Sequence, residues 1–136
     1  MIEHPILEYP DYGKPFTLIT DASGRGLGAV LAQKNDQGKE TVIAYASKSL
    51  SPAERNYAVT EQECLAVVWG IKHFHKYLID RLFTVITDHS ALKGFLNTKQ
   101  PKGKRARWLM EVQQYNFKIE HRPGKENKNA DFLSRI

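Results

Sequence analysis

Cysteine is almost missing from this chain of 136 residues, since Cys64 stands alone. A single thiol excludes an internal disulfide and fits a reducing, intracellular setting. Its place in an apolar helical stretch reads as a packed thiol rather than a nucleophile. Long apolar runs are missing too. None approaches the ~20 residues of a membrane-spanning helix, so no membrane partner is expected. The N-terminal MIEHPILEYPDYGKP lacks the charged-then-apolar design of a targeting signal. There is no low-complexity tract, and no His and Cys cluster has the spacing of a zinc site. Nor is there an excess of acid. The 20 Lys and Arg against 15 Asp and Glu give a net charge of +5, which favours polyanionic partners such as nucleic acid.

What is present is one domain's length of chain, enough to bury about two thirds of its unfolded surface. Its most informative feature is an echo: residues 16–21 read FTLITD and residues 83–88 read FTVITD. Each copy has the apolar, β-branched and aromatic composition of a buried strand. Side chains alternate along a strand, so the shared phase sends both aspartates out of the C-terminal end on the same side. If the two strands are parallel neighbours, Asp21 and Asp88 approach to roughly one strand spacing, about 5 Å.

The turn signals lay out the rest. Phe16 to Asp21 is a strand, and Ala22 to Gly26 forms a small-residue turn. Leu27 to Gln33 returns antiparallel, and Thr41 to Ala46 runs up again after the turn Asn35 to Gly38. Ser51, Pro52 and Glu54 start a single helical turn. Thr60 and Glu63 match capping-box spacing at the start of the main helix. Its buried stripe is Cys64, Val67, Val68, Ile71, Phe74 and Leu78, widened by Leu65, Trp69 and Tyr77. That helix brings the chain back down, so Phe83 to Asp88 rises parallel to the first strand. A short helix is predicted over Ser90 to Leu96. The basic run KQPKGKRAR then leads as a charged loop into a helix carrying Trp108, Leu109, Val112 and Tyr115. Asn116 to His121 is a fifth strand, and a closing helix runs to Ile136.

Four acids fall at element ends: Asp21, Glu63, Asp88 and Asp131. Each has an ordinary explanation by itself, as a turn former, a cap or a partner for a helix dipole. Together they change the reading, because ligand sites in open sheets lie beyond the C-termini of parallel strands. Clustered carboxylates repel unless a cation joins them, and an all-oxygen set indicates magnesium or manganese rather than zinc. Two such ions about 4 Å apart serve phosphodiester hydrolysis. His121, in a proline and glycine turn, reads either as a surface or packing residue or as a mobile imidazole that relays a proton or helps product and metal leave, and His89 adjoins Asp88 and can tune it.

At these residues the chain resembles a known family, the ribonuclease H domain of gypsy-class LTR retrotransposon reverse transcriptases. The blocks TDASGRGLGAVLAQ, YASKSLSPAERNYAVTEQECLAVV, FTVITDHSAL and HRPGKENKNADFLSR carry the likeness, in order and with similar spacing. The fold implied is α/β, RNase H-like: a five-stranded mixed sheet, three antiparallel strands and then two parallel ones, flanked by helices. Residues 1–14 then look like a linker from the polymerase connection, and 15–136 the RNase H-like domain.

The resemblance implies Asp21, Glu63, Asp88 and Asp131 as metal ligands and catalytic acids, with Glu61 a competitor for the helix position. It implies His121 as the family's mobile histidine. The implied cofactor is Mg2+, two ions, with Mn2+ able to substitute. The implied activity is hydrolysis of the RNA strand of an RNA–DNA hybrid, in partnership with the polymerase domain of the same polyprotein, in a cytoplasmic replication particle. Ser23 and Gly24, where small residues admit a backbone beside Asp21, and Lys102, Lys104, Arg105 and Arg107 are the expected nucleic-acid contacts. A noncatalytic domain that positions nucleic acid is the alternative. An integrase-like strand transferase fits less well, because its glutamate sits on a late helix.

Overall fold

The computed structural model of the protein describes residues 2–3, 7–89, 94 and 103–122. Its elements, in chain order, are β1 (Ile2–Glu3), β2 (Thr17–Ala22), β3 (Gly26–Lys34), β4 (Glu40–Ser49), α1 (Pro52–Arg55), α2 (Val59–His73), α3 (His75–Leu78), β5 (Leu82–Thr87), α4 (Lys104–Val112) and β6 (Asn116–His121). The strands form one mixed sheet in the order β1-β4-β3-β2-β5-β6. The β2, β3 and β4 strands are an antiparallel meander, while β5 runs parallel to β2 and β6 parallel to β5. These are the five strands expected, in the expected directions. The two-residue β1 adds a sixth at the edge, pairing antiparallel with β4 at Ser47 and Ala46.

The apolar runs are continuous because β2, β3 and β5 are buried on both faces. Leu18, Leu31 and Val85 join the main core with Cys64, Val67, Val68, Ile71 and Phe74 of the α2 side. Their strand neighbours Ile19, Val30 and Ile86 form a second cluster with Ala32. All of the predicted helical stripe is buried, from Cys64 to Leu78. The helix is nevertheless not continuous: α2 ends at His73, Phe74 leaves helical geometry, and α3 supplies one more turn. Asp80 then takes a left-handed conformation, φ 61°, which turns the chain into β5. Asp tolerates that region better than most residues.

Ser51 caps α1 as predicted. Its Oγ accepts from the Glu54 N–H at 3.2 Å, and Glu54 returns the bond to the Ser51 N–H at 2.9 Å. The basic run is corrected in part. Lys104 to Arg107 belong to α4 rather than to a loop, and Lys99 to Lys102 lie outside the described residues. So do the closing helix, and all of the predicted helix at Ser90 to Leu96 except Gly94.

Residues 7–14, read from sequence as part of a linker, are pinned to the rest of the fold. The Leu7 N–H donates to the Ile43 carbonyl at 2.7 Å. The buried Gln33 amide holds Asp11 from both sides, accepting from its N–H at 2.8 Å and donating to its carbonyl at 2.8 Å. Arg81 lies over the Tyr12 ring and donates to the Tyr12 carbonyl at 2.7 Å.

Candidate active site

The parallel pairing of β2 and β5 sets the geometry of the site. Thr17 pairs with Thr84, Leu18 with Val85 and Ile19 with Ile86, and the same offset continued sets Asp21 opposite Asp88. The FTLITD and FTVITD copies therefore lie side by side in matching register. Asp21 is the penultimate residue of β2 and is 4% exposed, while Asp88 follows β5 directly and is half-buried.

The third carboxylate arrives on α2, and two local features aim it. First, the helix begins two residues earlier than its sequence predicted, at Val59 rather than after Thr60. Ala58 is the N-cap, and the Glu61 carboxylate accepts from the Ala58 N–H at 3.1 Å. Alanine has no side-chain acceptor, so only this half of a capping box forms. The Thr60 and Glu63 box is thus overturned: Glu61 serves the helix end, and Glu63 lies instead with Asp21 and Asp88. Second, α2 packs unusually close to β2 and β3 at Gly70. A Cβ there would lie 3.3 Å from Ala29 Cβ, 3.4 Å from Leu18 Cδ2 and 3.5 Å from Thr20 Cγ2. Gly70 is two helical turns beyond Glu63 and shares its face. The close approach brings Glu63 down to the strand ends.

Carboxylate oxygens of Asp21, Glu63 and Asp88 all lie within 4.8 Å of one another. Glu63 is 5% exposed and its Oε2 has no hydrogen-bond partner. Burial first, and then the charges of Asp21 and Asp88, push its carboxyl up to about 8, against the pull of a hydrogen bond from the Ala22 main chain. A buried oxygen without a partner, facing two further carboxylates, fits a cation and costs free energy without one. The donors are all hard oxygens, which suits magnesium or manganese.

Two histidines lie beside Asp88. His121, at the end of β6, donates from Nε2 to the Asp88 carbonyl at 3.1 Å and is exposed. The His89 N–H donates to Thr87 Oγ1 at 3.2 Å, and its Nε2 shares a 2.8 Å hydrogen bond with Thr60 Oγ1.

Among the expected nucleic-acid contacts, Ser23 is a turn former. Its Oγ accepts from Arg25 and Gly26 N–H groups at 3.3 and 3.1 Å. Gly24 is exposed at the tip of that turn, with open space where a Cβ would stand. Lys104 is tied to the α2 end, its Nζ 3.2 Å from Glu61 and 4.4 Å above the Tyr57 ring. Arg105 and Arg107 lie exposed on α4. Asp131 and Lys102 lie outside the described residues.

Residues 11–115 match the family model described as the RNase H-like domain found in reverse transcriptase. The chain belongs to that family. Relatives of this RNase H-like domain include the retrovirus-related Pol polyprotein from transposon 297 of Drosophila melanogaster, 44% identical over 136 residues. The alignment covers the whole chain and 12% of that polyprotein. The transposon Tf2-3 polyprotein of Schizosaccharomyces pombe is 41% identical over 140 residues, again over the whole chain and over 10% of the relative. The domain thus spans about a tenth of the curated relatives' length.

The fold agrees. The foamy viral protease-reverse transcriptase in complex with double-stranded DNA superposes with a TM-score of 0.70 at 16% identity, over 85% of this chain and 25% of that one. RNase H1 from the archaeon Halobacterium salinarum superposes with a TM-score of 0.65 at 15% identity, over 88% of this chain and 93% of that one. Among the described residues of the RNase H-like domain, no helix is long and apolar enough to cross a membrane.

Proposed function

We propose that this domain is a metal-dependent endonuclease that hydrolyses the RNA strand of an RNA–DNA hybrid, working beside the polymerase of the same polyprotein inside the cell. The observation that carries this reading is the carboxylate cluster with its buried, unpartnered Glu63 oxygen. Asp21, Glu63 and Asp88 would hold magnesium, or manganese in its place, with Asp131 as a fourth ligand. When bound, a pair of such ions lowers the pKa of an attacking water and stabilises the leaving oxygen.

The chain's own residues do the rest. Burial of Asp21 and Glu63 keeps bulk water from the cluster, so electrostatic interactions there are stronger than at the surface. His121 is exposed beside Asp88 and would carry a proton between the site and solvent. The exposed turn at Gly24, next to Asp21, lets a nucleic-acid backbone approach, and Lys102, Lys104, Arg105 and Arg107 supply positive charge for phosphates. RNA is told from DNA through the 2′-hydroxyl, and the hybrid is read mainly by its shape.

The test uses labelled RNA–DNA hybrid, double-stranded RNA and double-stranded DNA with magnesium or manganese. It is run with the domain alone and with the domain joined to its polymerase. Only the RNA strand of the hybrid is expected to be cut, only with metal, and not by Asp88→Asn. Equal cutting by Asp88→Asn would remove the metal site from the mechanism. Hybrid binding without cutting in either form and with either metal would leave a noncatalytic, nucleic-acid-positioning domain.

A further inference from the structure

The hydrogen bond between Thr60 and His89 joins the two elements that carry Glu63 and Asp88. Thr60 is three residues before Glu63, nearly one turn back on the same side of α2. His89 follows Asp88 immediately, and its own N–H is held by Thr87 Oγ1. The 2.8 Å contact therefore spans from the first turn of α2 to the exit of β5, with both side chains half-buried.

We propose that Thr60 and His89 form a positioning strut that fixes the spacing between the Glu63 and Asp88 carboxylates; this rests on the metal-site reading above. The need for such a strut follows from the forces at the site. Three carboxylates whose oxygens lie within 4.8 Å repel, and the cheapest relaxation is for the N-terminal end of α2 to tilt away from β5. Gly70 anchors the helix two turns further on, and at the first turn Glu61 pairs with Lys104 and Gln62 donates to the Glu54 and Arg55 carbonyls, while the Thr60 contact ties that turn to the exit of β5. A hydroxyl–imidazole hydrogen bond between the two elements resists the tilt. Magnesium demands near-ideal octahedral geometry, so a small widening weakens it steeply. Groups that orient metal ligands in this way are typically worth 10- to 100-fold in affinity.

The strut is tested by titrating Mn2+ alone into the protein and reading free Mn2+ by electron paramagnetic resonance, with no nucleic acid present. Thr60→Val preserves shape and removes the hydroxyl; His89→Leu removes the imidazole. Each is expected to weaken Mn2+ binding by about 10- to 100-fold, while the melting temperature without metal stays near that of the wild type. Because the two groups act through one bond, the double variant is expected to bind no more weakly than the weaker single variant. Thr60→Ser, which restores the hydroxyl, is expected to recover affinity. Wild-type affinity in both single variants, multiplying effects in the double variant, or no recovery in Thr60→Ser would overturn the strut while leaving the metal site standing. A wild-type protein that bound no Mn2+ would overturn the metal site and the strut together.

Discussion

Glu63→Gln is expected to abolish hybrid cleavage and, in the absence of metal, to make the protein more stable. The two effects have one cause. The Glu63 carboxyl is raised from 4.5 to about 8, chiefly by burial and then by Asp21 and Asp88. Between those values the folded protein keeps a proton that the unfolded chain has released. The folded state thus binds more protons, and stability falls as pH rises across that window. The contribution is fully present below about 4.5 and is gone once pH passes about 8. At about 1.4 kcal/mol per pH unit this amounts to a few kcal/mol.

Glutamine keeps the shape, stays neutral, and removes the titration. At pH 8 without metal the variant should melt about 5–10 °C above the wild type, and at pH 5 the two should nearly coincide. Millimolar Mn2+ should raise the wild-type melting temperature and leave the variant's unchanged, because a ligand stabilises only the state that binds it. Cleavage should fall by about 1,000-fold or more, the rate equivalent of the several kcal/mol that metal-ion catalysis supplies. Melting curves at the two pH values, with and without Mn2+, check this. A stability gain of the same size at pH 5 and pH 8 would exclude the carboxyl as its source.

Gly70→Leu is expected to be the most damaging single substitution in α2. A Cβ at Gly70 already sits 3.3 Å from Ala29 Cβ, and the remaining leucine atoms would have to enter a core in which Leu18, Ala29 and Thr20 are fully buried. Overpacking of this kind costs about 3 kcal/mol or more at a tight contact. Where the protein does fold, the helix must stand further from β2, and Glu63 is carried away from Asp21. Mn2+ affinity should therefore fall together with stability, unlike the strut variants, in which affinity falls alone. Urea titration for stability and Mn2+ titration in the folded baseline separate the two effects. Unchanged Mn2+ affinity in folded Gly70→Leu would mean that the helix-to-sheet distance does not set the site.

Which of these features could be read from the sequence depends on how local their causes are. The register of β2 and β5 was legible because two strands under the same demand, burial on both faces and an acid at the end, evolved nearly the same string. The α1 cap was legible because Ser51 and Glu54 satisfy each other within one turn. The start of α2 misled for the same reason. Thr60 and Glu63 have better capping chemistry than Ala58, but Thr60 finds His89 across the fold and Glu63 accepts from the Ala22 main chain, so tertiary contacts outweigh the local motif. Gly70 carries no sequence signal beyond a helix penalty, and its role exists only where Ala29 and Leu18 come against it. The Lys104 and Glu61 pair is invisible for a similar reason, since it joins α4 to α2. In sequence, Lys104 reads only as one more charge in a basic run.

The parallel pairing of β2 with β5 also shapes how the domain folds. It joins residues far apart in the chain, so the meander and α2 can form before Asp21 and Asp88 ever meet. If they do, carboxylate repulsion in metal-free protein would act on the unfolding rate more than on the folding rate. A cation bound at the strand ends would accordingly work as a latch, lengthening the life of the folded domain without hastening its formation, a difference visible in the two limbs of a denaturant chevron.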